Sequence, residues 1–200
     1  MRLRKSASWL ATILALGESI FSSSSWAIEV TLTPLQVEQA LARGVRAAEQ
    51  RLPPNRLYAW FGSEEELKPK GFLMTKMNGL TVMAAHFALR GKVPSLAETE
   101  RILQEETMLV SVTLFGETPT FAKDSYMILK QGDRLIKPVK VRFDGVAHRT
   151  SIWPNSPRYQ AKVIAAFRYE DFDPHAMTTL LVFPGQGGEQ AFKLDFSQIP

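Results

Sequence analysis

Near residue 108 the hydrophobic period of the chain changes from about 3.6 residues to 2, which limits the fold more than any motif does. Upstream, Val37, Leu41, Val45, Ala48 and Leu52 recur at helical steps behind Thr33-Pro34. There Thr suits the free amides of a helix start, and Pro at the first helical position loses no hydrogen bond. Pro53-Pro54 closes that helix. A second helix is predicted from Gly79 to Arg90, capped by Asn78 and stopped by Gly91 in a left-handed conformation. It is apolar nearly all round, so it should be buried on more than one side, with His86 a core histidine. Ser95-Leu96-Ala97-Glu98 reads as a capping box opening a third helix, with Leu96, Ile102 and Leu103 on its inner face. The triplet Glu64–Glu66 suits the exposed first turn of a short helical segment after Gly62-Ser63, where negative charge meets the dipole.

Downstream, Met108, Val110, Val112 and Leu114 alternate with their neighbours, and further strands are expected at 126–129, 134–136, 139–143, 160–169 and 178–183. Pro184-Gly185-Gln186-Gly187-Gly188 then turns the chain into a last strand carrying Phe192, Leu194 and Phe196. The expected fold is α+β, with N-terminal helices packed on a C-terminal antiparallel β-sandwich. An immunoglobulin-like form of that sandwich is an analogy of architecture only, because the marker disulfide of antibody domains is missing. Residues 28–107 and 108–200 are expected to form one unit, since no low-complexity linker separates them.

Residues 1–27 read as a secretory signal. Arg2, Arg4 and Lys5 form a basic start, Trp9 to Gly17 a short apolar core, and Ser25-Trp26-Ala27 a peptidase site. An uncleaved membrane anchor is the competing reading, although Glu18 and the serines at 22–25 interrupt the apolar run. No later apolar run is long enough for a span, so the mature chain should be periplasmic or secreted, without a transmembrane segment. The chain has no cysteine, which excludes disulfides, thiolate metal sites, thiol nucleophiles and a cysteine-linked lipid anchor. Its net charge of +4 suggests acidic partners. Cleavage after Ala27 removes three basic residues and one acidic residue, halving that charge. Nucleic acid is therefore not an expected partner, and no basic cluster or RNA-binding strand pattern is present.

Motifs for chemistry are few. H-E-x-x-H, G-x-S-x-G and the phosphate-loop ending Gly-Lys-Ser/Thr are all absent, and nothing calls for a cofactor or a resident metal. Asp171 and Asp173, followed by His175, form a short acidic loop in which two carboxylates could share a hard cation. Asp and Pro also make ordinary strand turns, and that is the simpler expectation for this loop. Tyr58, Trp60 and Trp153 are candidates for an aromatic recognition patch, with packing in the core as the alternative. Two functional expectations follow. The first is a non-enzymatic envelope module docking a protein partner at an edge strand within Arg134–Phe143, where Pro138 is tolerated. The second is an envelope hydrolase or other enzyme whose site gathers Asp171, Asp173 and His175 with scattered polar groups.

Overall fold

Thr33 caps the first helix, α1 (Pro34–Glu49), through a reciprocal box in which its hydroxyl accepts from Gln36 N and Gln36 Oε1 accepts from Thr33 N. The computed structural model describes residues 27–199; the proposed leader, apart from Ala27, lies outside the described residues. Three α-helices and ten strands make a mixed α+β fold among those residues. Helix α2 (Lys76–Ala88) starts earlier than its sequence suggests, with Thr75 rather than Asn78 as N-cap. Gly91 does end that helical segment in a left-handed conformation (φ 66°), and Lys92 N donates to Phe87 O across it. Helix α3 (Leu96–Leu103) carries the expected box between Ser95 and Glu98.

The helical faces differ from the periodic pattern. In α1 the buried residues are Ala40, Gly44, Ala47 and Ala48, whereas Val45 is 37% exposed and Leu52 is also exposed. Small side chains are needed there because α1 crosses α2 very closely. A Cβ added at Gly44 would lie 2.7 Å from Ala84 Cβ and 2.9 Å from Ala85 N. Close backbone approach has displaced the larger residues from the interface. His86 is exposed, not a core histidine, because it lies in the last turn of α2, beyond the buried residues Leu80, Thr81, Val82, Ala84 and Ala85. Leu96 is 74% exposed, because α3 buries only Thr99 fully and holds Ile102 and Leu103 half-buried.

The strands are β1 (Ala59–Gly62), β2 (Lys70–Met74), β3 (Thr107–Gly116), β4 (Tyr126–Gln131), β5 (Arg134–Ile136), β6 (Lys140–Phe143), β7 (His148–Arg149), β8 (Tyr159–Arg168), β9 (Met177–Phe183) and β10 (Gln190–Asp195). They form a six-stranded antiparallel sheet ordered β1-β2-β3-β8-β6, with β7 also on β8, and a four-stranded one ordered β10-β9-β4-β5. The helical first half thus supplies two strands that the periodicity hides. Gly71 breaks the apolar alternation of β2, and the Phe61 ring of the paired strand fills the space its missing side chain leaves. Glu64–Glu66 belong to the β1–β2 connection and form no helix, since the hairpin pairing of Gly62 with Lys70 claims the flanking chain.

One buried cluster draws on both sheets: Val110, Val112, Val163 and Phe167 from the first, Met127, Leu129, Leu180 and Val182 from the second. Ile28 joins it at 1% exposure, so the segment just after the proposed cleavage point is anchored in the core. A smaller cluster of Ala47, Leu57, Val82 and Ala85 holds the helices, with Tyr58 packed beside it.

Candidate functional site

Register in the six-stranded sheet decides which side chains share its outer face, because directly opposed residues in antiparallel strands point the same way. Trp60, Phe72, Ser111, Ile164 and Arg142 are paired in succession and make one continuous row across five strands. A second row runs Gly62, Lys70, Thr113 and Lys162, and a third Met74, Leu109, Ala166 and Lys140. The alternate residues of the same strands, such as Leu73, Val110, Val112 and Val163, are in the core. The outer face therefore has a relief set by side-chain size. Aromatic side chains stand over β1 and β2, small Ser111 and Thr113 lie midway along central β3 between the larger Leu109 and Phe115, and the cations Lys162, Arg142 and Lys140 lie on β8 and β6.

The aromatic side chains are a packed unit. Tyr58 stacks on Phe72 with ring centroids 4.3 Å apart, and Trp60 meets Phe72 edge-on at 5.3 Å. Trp60 stays 48% exposed, and its indole N–H donates to Asn55 O at 2.7 Å, which fixes the ring's tilt. A cleft of about 560 Å³ opens beside it, lined among others by Arg56, Glu64 and Lys70. Of the cations, Lys140, Arg142 and Lys162 are exposed and Lys70 half-buried, and none has a carboxylate within ion-pair distance among the described residues. Asp144 is the nearest acidic group by register, but its Oδ2 accepts from the backbone N of Lys162 at 2.8 Å. Arg168, at the end of the same face, is paired with Glu170 at 3.8 Å.

Two of the three candidate aromatics thus come together, Tyr58 and Trp60, with Phe72 as their unforeseen common neighbour. Trp153, 42% exposed, makes its ring contact elsewhere, under the Arg149 guanidinium at 4.1 Å. Its loop is tied to the β1–β2 connection by Ser151 Oγ donating to Glu66 Oε1 at 3.2 Å.

The acidic loop is built as a turn. Asp173 Oδ1 accepts from His175 N at 2.8 Å, and Gln131 grips the same loop from β4, donating to Asp173 O at 2.8 Å and accepting from Asp173 N at 2.9 Å. Asp171 is half-buried at the end of a short 3₁₀ turn, while Asp173 and His175 are exposed. Among the described residues no three His, Cys, Asp or Glu side chains are grouped to hold a metal ion.

A second polar cluster had no motif to announce it. Lys76 Nζ donates to Leu103 O at 2.7 Å, capping the end of α3, and lies 5.4 Å from the centre of the Tyr169 ring. Burial lowers the pKa of this ammonium, opposed by the charges of Glu105 and Glu106. Burial also raises the Tyr169 phenol well above its ordinary range, with a backbone hydrogen bond from Lys76 working the other way. Clefts of about 520 Å³ and about 170 Å³ flank the pair. Its visible work is mechanical: it joins α2, α3 and the end of β8. The chain matches no protein-family model and no curated protein. Among the described residues no helix is long and apolar enough to cross a membrane.

Proposed function

We propose that this protein is an exported, non-enzymatic binding module whose ligand surface is the outer face of the six-stranded sheet. One observation carries the reading: the row Trp60–Phe72–Ser111–Ile164–Arg142 puts an exposed, orientationally fixed indole at one side of the sheet face and an exposed arginine that makes no ion pair, among the described residues, at the other. A fixed aromatic side chain and a free guanidinium on one face are a composition common in recognition surfaces. The buried cluster shared by both sheets supports a sandwich, in which one sheet's inner face covers the other's; on the outer face Trp60, Lys140, Arg142 and Lys162 are exposed, while Ser111 and Ala166 are buried and Met74 and Leu109 border a cleft shared with Gly79 and Ile102. An immunoglobulin-like strand order is not required for that.

Two measurements test the reading. Mass spectrometry of the protein recovered from cells should find a mature N-terminus at Ile28. A photo-crosslinking residue at Thr113, in the floor of the face, should form a discrete adduct in intact cells. The same residue at exposed Lys130 of the other sheet should not. Equal labelling from both positions, or none from Thr113, refutes the assignment of the face. A second reading has its own observation: Arg134–Phe143 contains β5 and β6, each of which ends a sheet. Their unpaired edges could accept an extended segment of a protein partner, and crosslinking from Leu135 would reveal it.

A further inference from the structure

Resting on the reading of this protein as a binding module, we infer that the open edge of β1 takes an extended segment of a partner protein, in which an apolar residue adjoins an acidic one. β1 ends the six-stranded sheet and pairs with β2 alone. The cleft of about 560 Å³ is lined by residues 60–64 in unbroken succession, and also by Asn55, Arg56 and Lys70. Successive side chains of a strand point to opposite faces, so a void over one face would touch alternate residues only. One that touches every residue runs along the side of the strand, and β2 occupies the other side. Nothing in Ala59–Gly62 guards this edge, since the strand holds neither a charge nor a proline.

The hydrogen-bond register says what the edge offers. Ser63 N donates to Pro69 O at 3.3 Å, so residues 63 and 69 form a hydrogen-bonded pair. Such pairs recur at every second position of an antiparallel ladder, and the next is Phe61 with Gly71. Each trans peptide group turned toward β2 by one of its atoms turns the other away. The carbonyls of Trp60 and Gly62 and the N–H of Gly62 therefore face the cleft. No turn, loop or further strand among the described residues engages them. Trp60 N is satisfied already, by Tyr58 O at 3.1 Å. Two acceptors and a donor in line along a strand suit the backbone of a second strand, which supplies the complementary groups at the same spacing. The flanking side chains select its residues. Trp60, held by Asn55 O, offers an exposed apolar ring to one side chain. Arg56 and Lys70 set two cations against the one carboxylate of Glu64, and none of the three is in an ion pair among the described residues. That positive balance favours an acidic residue next to the apolar one.

The test is a nuclear magnetic resonance titration of isotope-labelled protein, recovered from cells expressing the full chain, with a capped heptapeptide alternating valine and aspartate. The Gly62 amide should shift and its hydrogen exchange should slow, while Lys130 of the other sheet stays unchanged. A strand on an edge uses every second N–H. N-methylation of one alternate set of peptide residues should therefore weaken binding about tenfold, and of the other set far less. Arg56→Ala should weaken it about threefold, and Glu64→Gln should tighten it about twofold. Trp60→Ala should weaken binding too, whereas Trp60→Phe should retain most of it. Circular dichroism checks that each variant is folded. An unmoved Gly62 amide, or equal losses from the two N-methylated sets, overturns the inference. So do shifts centred on Leu135, or equally tight binding of a single capped aspartate, which would make the cleft a small-molecule site. If the peptide fails while Thr113 still crosslinks a ligand in cells, this inference falls and the outer face stands. If the peptide binds at Gly62 and Thr113 crosslinks nothing, the edge stands and the face falls; if both fail, both are wrong.

Discussion

Replacing Gly44 by alanine tests the helix crossing that sets the position of the whole helical layer. Two effects oppose each other. Alanine in a helix interior is favoured over glycine by about 1 kcal/mol. The new methyl, however, would stand 2.7 Å from Ala84 Cβ and 2.9 Å from Ala85 N, and it presses still closer on the Thr81 carbonyl oxygen. Comfortable contact between carbons is about 3.5–4.0 Å, so the helices must part by roughly 1 Å. Two of the three obstructing atoms are backbone and cannot swing aside. Overpacking of this kind costs about 3 kcal/mol, at the upper end of the usual range. The net expectation is a loss of about 2 kcal/mol, or about 4–8 °C in the melting temperature of a chain this size. Urea unfolding followed by circular dichroism reads the change directly, since the midpoint should fall while the slope stays the same. A Gly44→Ala protein more stable than the parent would show that α1 and α2 do not touch at this point, and the small-residue account of their interface would fail.

Gly79, also within a helix, is expected to behave in the opposite way. A Cβ there meets only the Ile102 side chain, at 3.3 Å, and Ile102 is half-buried beside a cleft into which it can shift. Gly79→Ala should therefore stabilise the protein by roughly 0.5 kcal/mol, and a lower urea midpoint would contradict this. Tyr169 makes stability sensitive to alkali. Its folded-state pKa is raised above the ordinary 10.0, so above that pH the native state keeps a proton that the unfolded chain releases. Stability is then lost as pH rises. Lys76, with its pKa lowered from 10.5, acts the other way below that value, because a neutral amine is easier to bury. Tyr169→Phe should remove the phenol's part of the decline: comparing urea midpoints at about pH 9 and about pH 11, the variant should lose less than the parent. Equal losses would mean that the phenol is exposed.

The residues on which the proposed ligand surface depends show how far a sequence can be read here. Lys140 and Arg142 are visible as the wet side of an alternating strand, and Trp60 as an aromatic in a dense patch. That Arg142 ends a row begun by Trp60 depends on four strand pairings, the farthest joining residues 53 positions apart in the chain. Phe72 was overlooked because glycine interrupts its strand. Asp171, Asp173 and His175 drew attention as a short acidic run, yet Gln131, a residue from a different strand, holds that loop as a turn.

What the sequence by itself determined is local. The capping pairs at Thr33 and Ser95, the left-handed stop at Gly91, the glycine-rich turn before β10 and the change of period near residue 108 all rest on neighbours a few positions apart. The tertiary structure decided which side of each element is buried and which strands are adjacent. Val45 and Leu52 yielded the α1 interface to Gly44 and its alanines because close packing rewards shape as well as hydrophobicity. His86 and Leu96 face outward because nothing packs over them, and Lys70, Lys162 and Arg142 share a face because register aligned them. Hydrogen-bonding propensities act within a turn of the chain, but packing and pairing act between segments whose separation in sequence carries no record of their contact.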